Sequence, residues 1–179
     1  MKPETLERIA GDLRGGGIGS LRALASELSE EAFLHDSQEL ADLSAIAYCL
    51  AKFMEKHYVT GNASWGAFVS MTAQKLELAG AELRQGRREE AGKAVGHVLH
   101  DLEGLNASLG RFHTSVLVKA RVKIAANAYA HGASLGRAAA FAGVEKKLLA
   151  GYIGATRLGE NYATIKLGER LERTRELFE

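Results

Sequence analysis

One cysteine, one proline and no long apolar run narrow the class of this chain before any motif is read. The single cysteine, Cys49, sits in the apolar run Ile46-Ala47-Tyr48-Cys49-Leu50, which fits a small core side chain better than a nucleophile. One cysteine excludes an intrachain disulfide framework and suits a reducing compartment. With Pro3 as the only proline and no period-two runs of Val, Ile and Thr, the pattern predicts an all-α fold. Nowhere do the roughly eighteen apolar residues of a membrane span follow one another, and no signal-peptide core opens the chain. A cytoplasmic protein without a membrane partner is expected. Charge of one sign is also scarce: the formal net charge is +1. Nucleic acid therefore gains no global attraction, and any contact with it must come from a local basic patch.

What is present is helical periodicity. An apolar fraction of 46% and a charged fraction of 25% over 179 residues allow a real buried core. Residues 3–14 read as a helix with Leu6, Ile9, Ala10 and Leu13 on one side, broken by Gly15-Gly16-Gly17. Ser20 is expected to cap a short second helix carrying Leu21, Leu24 and Leu28. A long helix follows over 37–59, with Leu40, Leu43, Ala47, Leu50 and Met54 stepping by three and four. After a loop at 60–64, with Ser64 as N-cap, a helix to Arg84 should bury Phe68, Met71, Leu76, Ala79 and Leu83. The next, to about Leu109, carries Ala91, Val95, Val98, Leu102 and Leu105; another runs to about Ala130 and ends at His131-Gly132. Short loops between such helices predict an antiparallel bundle. Gly80, Gly92, Gly96 and Gly104 lie inside these patterns at a cost of about 1 kcal/mol each against Ala, so close helix approach is expected there.

Residues 134–154, S-L-G-R-A-A-A-F-A-G-V-E-K-K-L-L-A-G-Y-I-G, carry helix-turn-helix spacing. Ala138 and Ala139 are small enough for two helices crossing closely, Gly143 supplies the turn, and Leu149, Tyr152 and Ile153 hold the second helix down. In DNA-binding folds that second helix enters the major groove. Starting at Glu145, it would present Glu145, Lys146, Lys147, Ala150 and Gly151, flanked by Arg137 and Arg157. The two lysines suit phosphate better than bidentate base reading. An ordinary helical hairpin fits the same letters.

The three expected segments are a bundle over 1–118, a helix-turn-helix region over 119–158 and an amphipathic C-terminal helix over 159–179. That last helix places Leu167, Leu171, Thr174 and Phe178 on one stripe amid many charges. It either packs back on the bundle or docks in a partner's groove.

Catalytic chemistry finds little support. His97, His100 and Asp101 share helical spacing but lack a Cys cluster or a second matching site, so no metal is expected. Glu89 and Glu90 suit a helix N-terminus without a catalytic role. Gly15-Gly16-Gly17-Ile18-Gly19 lacks the Lys-Ser/Thr ending and preceding strand of a phosphate loop. No Arg and His pair has the separation of helical ribonucleases. Neither an enzyme nor a cofactor is expected.

Arg121-Val122-Lys123-Ile124, His131-Gly132-Ala133-Ser134-Leu135-Gly136-Arg137-Ala138-Ala139, Ala142-Gly143-Val144, Gly151-Tyr152-Ile153-Gly154 and the closing Gly168-Glu169-Arg170-Leu171…Arg175-Glu176-Leu177-Phe178 carry a resemblance. Together, over about 119–179, they resemble small archaeal helix-turn-helix proteins that act as antitoxin-type partners of PIN-domain nucleases. The resemblance implies a transcription regulator of a toxin-antitoxin pair, working as a homodimer on operator DNA. It further implies masking of the nuclease through Tyr162, Ile165, Leu167, Leu171, Arg175, Leu177 and Phe178. A helical protein-interaction or scaffold module that never touches DNA is the competing expectation.

Overall fold

The computed structural model describes residues 1–109 and 115–156, and among these the regular elements are helices, with no strand. They are α1 (Pro3–Gly15), α2 (Ile18–Leu34), α3 (Gln38–Met54), α4 (His57–Thr60), α5 (Trp65–Arg84), α6 (Arg88–Leu109), α7 (Val116–Ala130), α8 (Leu135–Ala142) and α9 (Lys146–Thr156). The fold is all-α. None of the described helices is long and apolar enough to cross a membrane.

Local chemistry sets most boundaries. Pro3 opens α1, and Gly16, in the left-handed region at φ 77°, closes it while its N–H returns to the Asp12 carbonyl. Ser20 does not cap the next helix. α2 begins at Ile18, and the Ser20 hydroxyl donates to the Asp12 carboxylate at 2.6 Å. Nor is α2 short, because its buried side continues from Leu21, Leu24 and Leu28 to Ala32. Ser37 caps α3, its Oγ accepting from the Leu40 N–H at 3.4 Å. The helix expected to reach Val59 stops at Met54. The chain turns at Glu55 and Lys56, and the single turn α4 then buries Val59. Ser64 stands at the cap position of α5 without capping it, because its amide and hydroxyl both donate to Asn62 Oδ1.

The apolar cluster is continuous from Leu6 in α1 to Leu149 in α9. α3 is its axis: it lies along α2, meets α6 and α7, and buries Leu43, Ile46, Leu50 and Phe53. Each such side chain contributes about 1.5–3 kcal/mol on leaving water. α1 packs on α5 and α5 on α6. A boundary at 118/119 falls in the first turn of α7, which packs on α2 and α3 and also carries α8 and α9.

Two packing expectations need correction. Met71 is 47% exposed, and Thr72 and Ala73 take the inward positions on α5. Of the helical glycines, Gly80 does meet a neighbour, since an added Cβ would lie 3.6 Å from the Pro3 carbonyl oxygen. Around Gly92, Gly96 and Gly104 a Cβ would find nothing within 4 Å. Close approach therefore explains only Gly80. Cys49 is fully buried, and burial pushes its thiol far above the ordinary range, as befits a core side chain.

Candidate nucleic-acid interface

The region 134–154 folds as two short helices joined by a tight corner. Ser134 caps α8, its Oγ accepting from the Arg137 N–H at 3.2 Å. Gly143 then takes a left-handed φ of 64°, and the Val144 N–H donates to the Ala139 carbonyl at 2.9 Å. Ala138, Ala139 and Ala142 are buried, which lets α8 approach α7 closely. From α7, Arg121 reaches the corner: a Cβ on Gly143 would lie 3.6 Å from its Nη1. A cation there complements the carbonyl end of α8.

α9 starts at Lys146, one residue later than expected, because the Glu145 carbonyl accepts its first helical bond, from the Leu149 N–H at 3.1 Å. Leu149 is buried between α7 and α8, with Tyr152 and Ile153 partly buried beside it. Arg137, Glu145, Lys146, Lys147, Ala150 and Gly151 are all exposed. Lys146 bends back over α8, where a Cβ on Gly136 would come within 3.2 Å of its Nζ. Its ammonium thus lies beside the first turn of α8, which carries no acidic side chain. Arg157 and the partner-binding candidates Tyr162, Ile165, Leu167, Leu171, Arg175, Leu177 and Phe178 lie outside the described residues.

Charge is divided sharply along the chain. Residues 1–109 hold eleven basic and sixteen acidic side chains; residues 115–156 hold six basic and one acidic. Every salt bridge among the described residues joins groups within 1–101, and nine of the eleven cations of 1–109 take part. Arg88, for example, holds Glu39 together with the amino terminus, and these contacts, Arg88 first, keep the Glu39 carboxyl below its ordinary range. No carboxylate of the described residues pairs with Lys119, Lys123, Arg137, Lys146 or Lys147. Lys119 and Lys123, exposed on α7, were missed by a reading centred on 134–154; counting charge by segment would have found them.

The same surface has an apolar side. Leu148 is 43% exposed on α9 and borders a groove of about 630 Å³ shared with Val118 and Val122 of α7. Elsewhere the candidates for chemistry are accounted for by local contacts. His97 and His100 are exposed, and the Asp101 carboxylate is paired with Lys75. Trp65 stacks on Phe68 with ring centroids 5.5 Å apart. Among the described residues no three His, Cys, Asp or Glu side chains converge on a metal position.

Comparison with family models, with curated proteins and with solved structures found no match, so the antitoxin-like resemblance rests on residues 119–179 alone.

Proposed function

We propose that this chain is a DNA-binding helix-turn-helix regulator that uses α9 as its recognition helix. The observation that carries the reading is the set of exposed cations on α7, α8 and α9 without carboxylate partners among the described residues: Lys119, Lys123, Arg137, Lys146 and Lys147. A cation left unpaired beside others of its sign is repelled by them, and a polyanion relieves that repulsion. The acidic bundle next to it repels phosphate, which orients the duplex toward α9. Lys146, beside the opening turn of α8, suits a phosphate oxygen. Ala150 and Gly151 offer a smooth surface for close approach to base edges rather than hydrogen bonds. Two copies, each inserting α9 into successive major grooves about 34–36 Å apart, would read a two-fold operator.

The family resemblance supplies the second half of the proposal: the segment 160–179 masks a nuclease partner, possession of which makes this the antitoxin of the pair. A test of the first half is binding to DNA from the chain's own upstream region across a salt series. If log affinity falls with log salt at a slope of about −3 to −5, three to five phosphates are engaged. Equal binding to random duplex at every salt concentration would refute operator recognition. For the second half, deletion of 160–179 should abolish nuclease inhibition and leave DNA binding in place.

One observation favours the competing reading, a protein-interaction module. The exposed Leu148 and the apolar groove at its side belong to the same helix as the lysines. If Leu148→Gln abolishes capture of a protein partner while Lys146→Glu with Lys147→Glu does not, and no duplex is bound, the module reading replaces the regulator.

A further inference from the structure

Two cavities meet where the bundle joins the C-terminal unit. The smaller, about 220 Å³, lies between α2, α3, α7 and α9 and is mixed in character, with Arg22, Ser26, Ser44 and Asn127 beside Ala25, Ile124 and other apolar side chains in its wall. The larger is the apolar groove of about 630 Å³ along α7 and α9. Tyr48, Lys123 and Tyr152 line both, so these three side chains stand where the two cavities adjoin.

Most polar groups of the smaller cleft are already engaged. Arg22 Nε donates to Glu55 at 2.8 Å, the Ser44 hydroxyl to the Ala25 carbonyl at 2.7 Å, and the Asn127 amide to Ser29 Oγ at 3.1 Å. Lys123 is different. Its ammonium stands 5.3 Å from the centre of the Tyr48 ring and meets no carboxylate among the described residues. The Tyr48 and Tyr152 hydroxyls have no hydrogen-bond partner among those residues either. Lys123, with the Tyr48 and Tyr152 phenols beside it, thus has no acidic partner among the described residues, and Lys119 and Lys147 line the same groove.

We propose that this junction binds a medium-chain fatty carboxylate. Its single negative charge is held by Lys123 and the phenols of Tyr48 and Tyr152, and its hydrocarbon chain lies along Val118, Val122 and Leu148. Three lysines, Lys119, Lys123 and Lys147, against the one acid Glu145 in the groove's lining favour an anionic head group. The groove is of ordinary ligand-pocket size, and its walls are apolar except for the lysines at the rim and Glu145. Binding here does not depend on the DNA reading, although α9 supplies Leu148 and Tyr152 to the site and Lys147 stands beside it.

The test is titration calorimetry on the full chain, without DNA, using sodium decanoate as probe. Decanoate should bind, and each methylene removed on going to octanoate and hexanoate should weaken binding about three- to fourfold. Acetate and decanol, which keep only the head or only the chain, should each bind at least about tenfold more weakly than decanoate. Lys123→Met and Leu148→Gln, both at exposed positions, should weaken decanoate about tenfold with an unchanged helical signal, and Lys123→Arg should restore it. Decanol equal to decanoate, or affinity independent of chain length, overturns the proposal. So does decanoate splitting a dimer in sedimentation, which would give the groove to a second copy. Tighter decanoate binding after Leu167, Leu171 and Phe178 are changed to Ser would give it to the chain's own tail.

Discussion

Residues 1–109 and residues 115–156 share one apolar core and differ in what they do with charge. In the first region the acids outnumber the bases, and most bases are paired, several with an acid from a neighbouring helix: Arg14 with Glu77, Arg84 with Glu7, Arg88 with Glu39. In the second region six bases face a single acid, Glu145. Exposed ion pairs contribute only about 0–1 kcal/mol each, so the pairing in the bundle is no great source of stability. Its consequence is neutrality at short range. Cations left unmatched among the described residues give nothing to the fold, and that supports the proposed anionic partner.

The comparison breaks first under changes to the core. Leu50→Ala should cost about 2–5 kcal/mol and lower the denaturation midpoint of the whole described fold, because α3 is packed by helices of both regions. Leu149→Ala removes a side chain of similar size from α9, and it should instead accelerate amide exchange in α8 and α9 while the amides of α1, α5 and α6 keep their protection. Uniform loss of protection in both variants would show that the two regions unfold as one.

Next comes charge reversal. Lys146→Glu with Lys147→Glu should lower DNA affinity about a hundredfold and reduce the salt slope by about two, with the melting temperature nearly unchanged. The mirror change in the bundle, Arg14→Glu, should leave DNA binding untouched, since Arg14 is occupied by Glu77. A comparable loss from both would remove the distinction between the regions.

Smaller effects sharpen the picture. Gly96→Ala and Gly104→Ala should each stabilise α6 by about 1 kcal/mol, because both positions are exposed and open, and chemical denaturation would measure it. At the seam between the regions, burial raises the Asp42 carboxyl above its ordinary range, only partly offset by the Gln38 hydrogen bond and the nearby Arg121. A carboxyl raised on folding weakens the native state above its native pKa, and the penalty disappears as pH falls through the unfolded value. Asp42→Asn should therefore stabilise the protein at neutral pH, with a gain that shrinks on acidification. Glu39, held below its ordinary range, has the opposite sign: its contribution is present at neutral pH and fades as pH drops through the carboxylate range.

Much of this architecture could be read from the letters. The Leu-rich stripe of α3, the caps at Ser37 and Ser134 and the corner at Gly143 each follow from a single local requirement: a face to bury, an N–H to satisfy, a left-handed φ. Other features could not be read, for reasons equally physical. Ser20 resembles a helix cap, yet Asp12 of the preceding helix lies within 2.6 Å and takes its hydroxyl. Met71 falls on the apolar stripe of α5, but the buried face is rotated toward Thr72. Of the candidate interface, α8 and α9 were legible as a local pattern. Lys119 and Lys123 join them only because α7 lies alongside α9.

Composition and periodicity alone settled that the fold is all-α, since with one proline and no alternating runs helices are what bury its apolar residues. They also settled where the corner between α8 and α9 falls, because a left-handed residue at that spacing calls for glycine. Tertiary structure alone decided which cations go unpaired among the described residues and which cavities adjoin. Both depend on what lies across a helix-helix contact, and residues as distant as Tyr48, Lys123 and Tyr152 become neighbours only when three helices pack together.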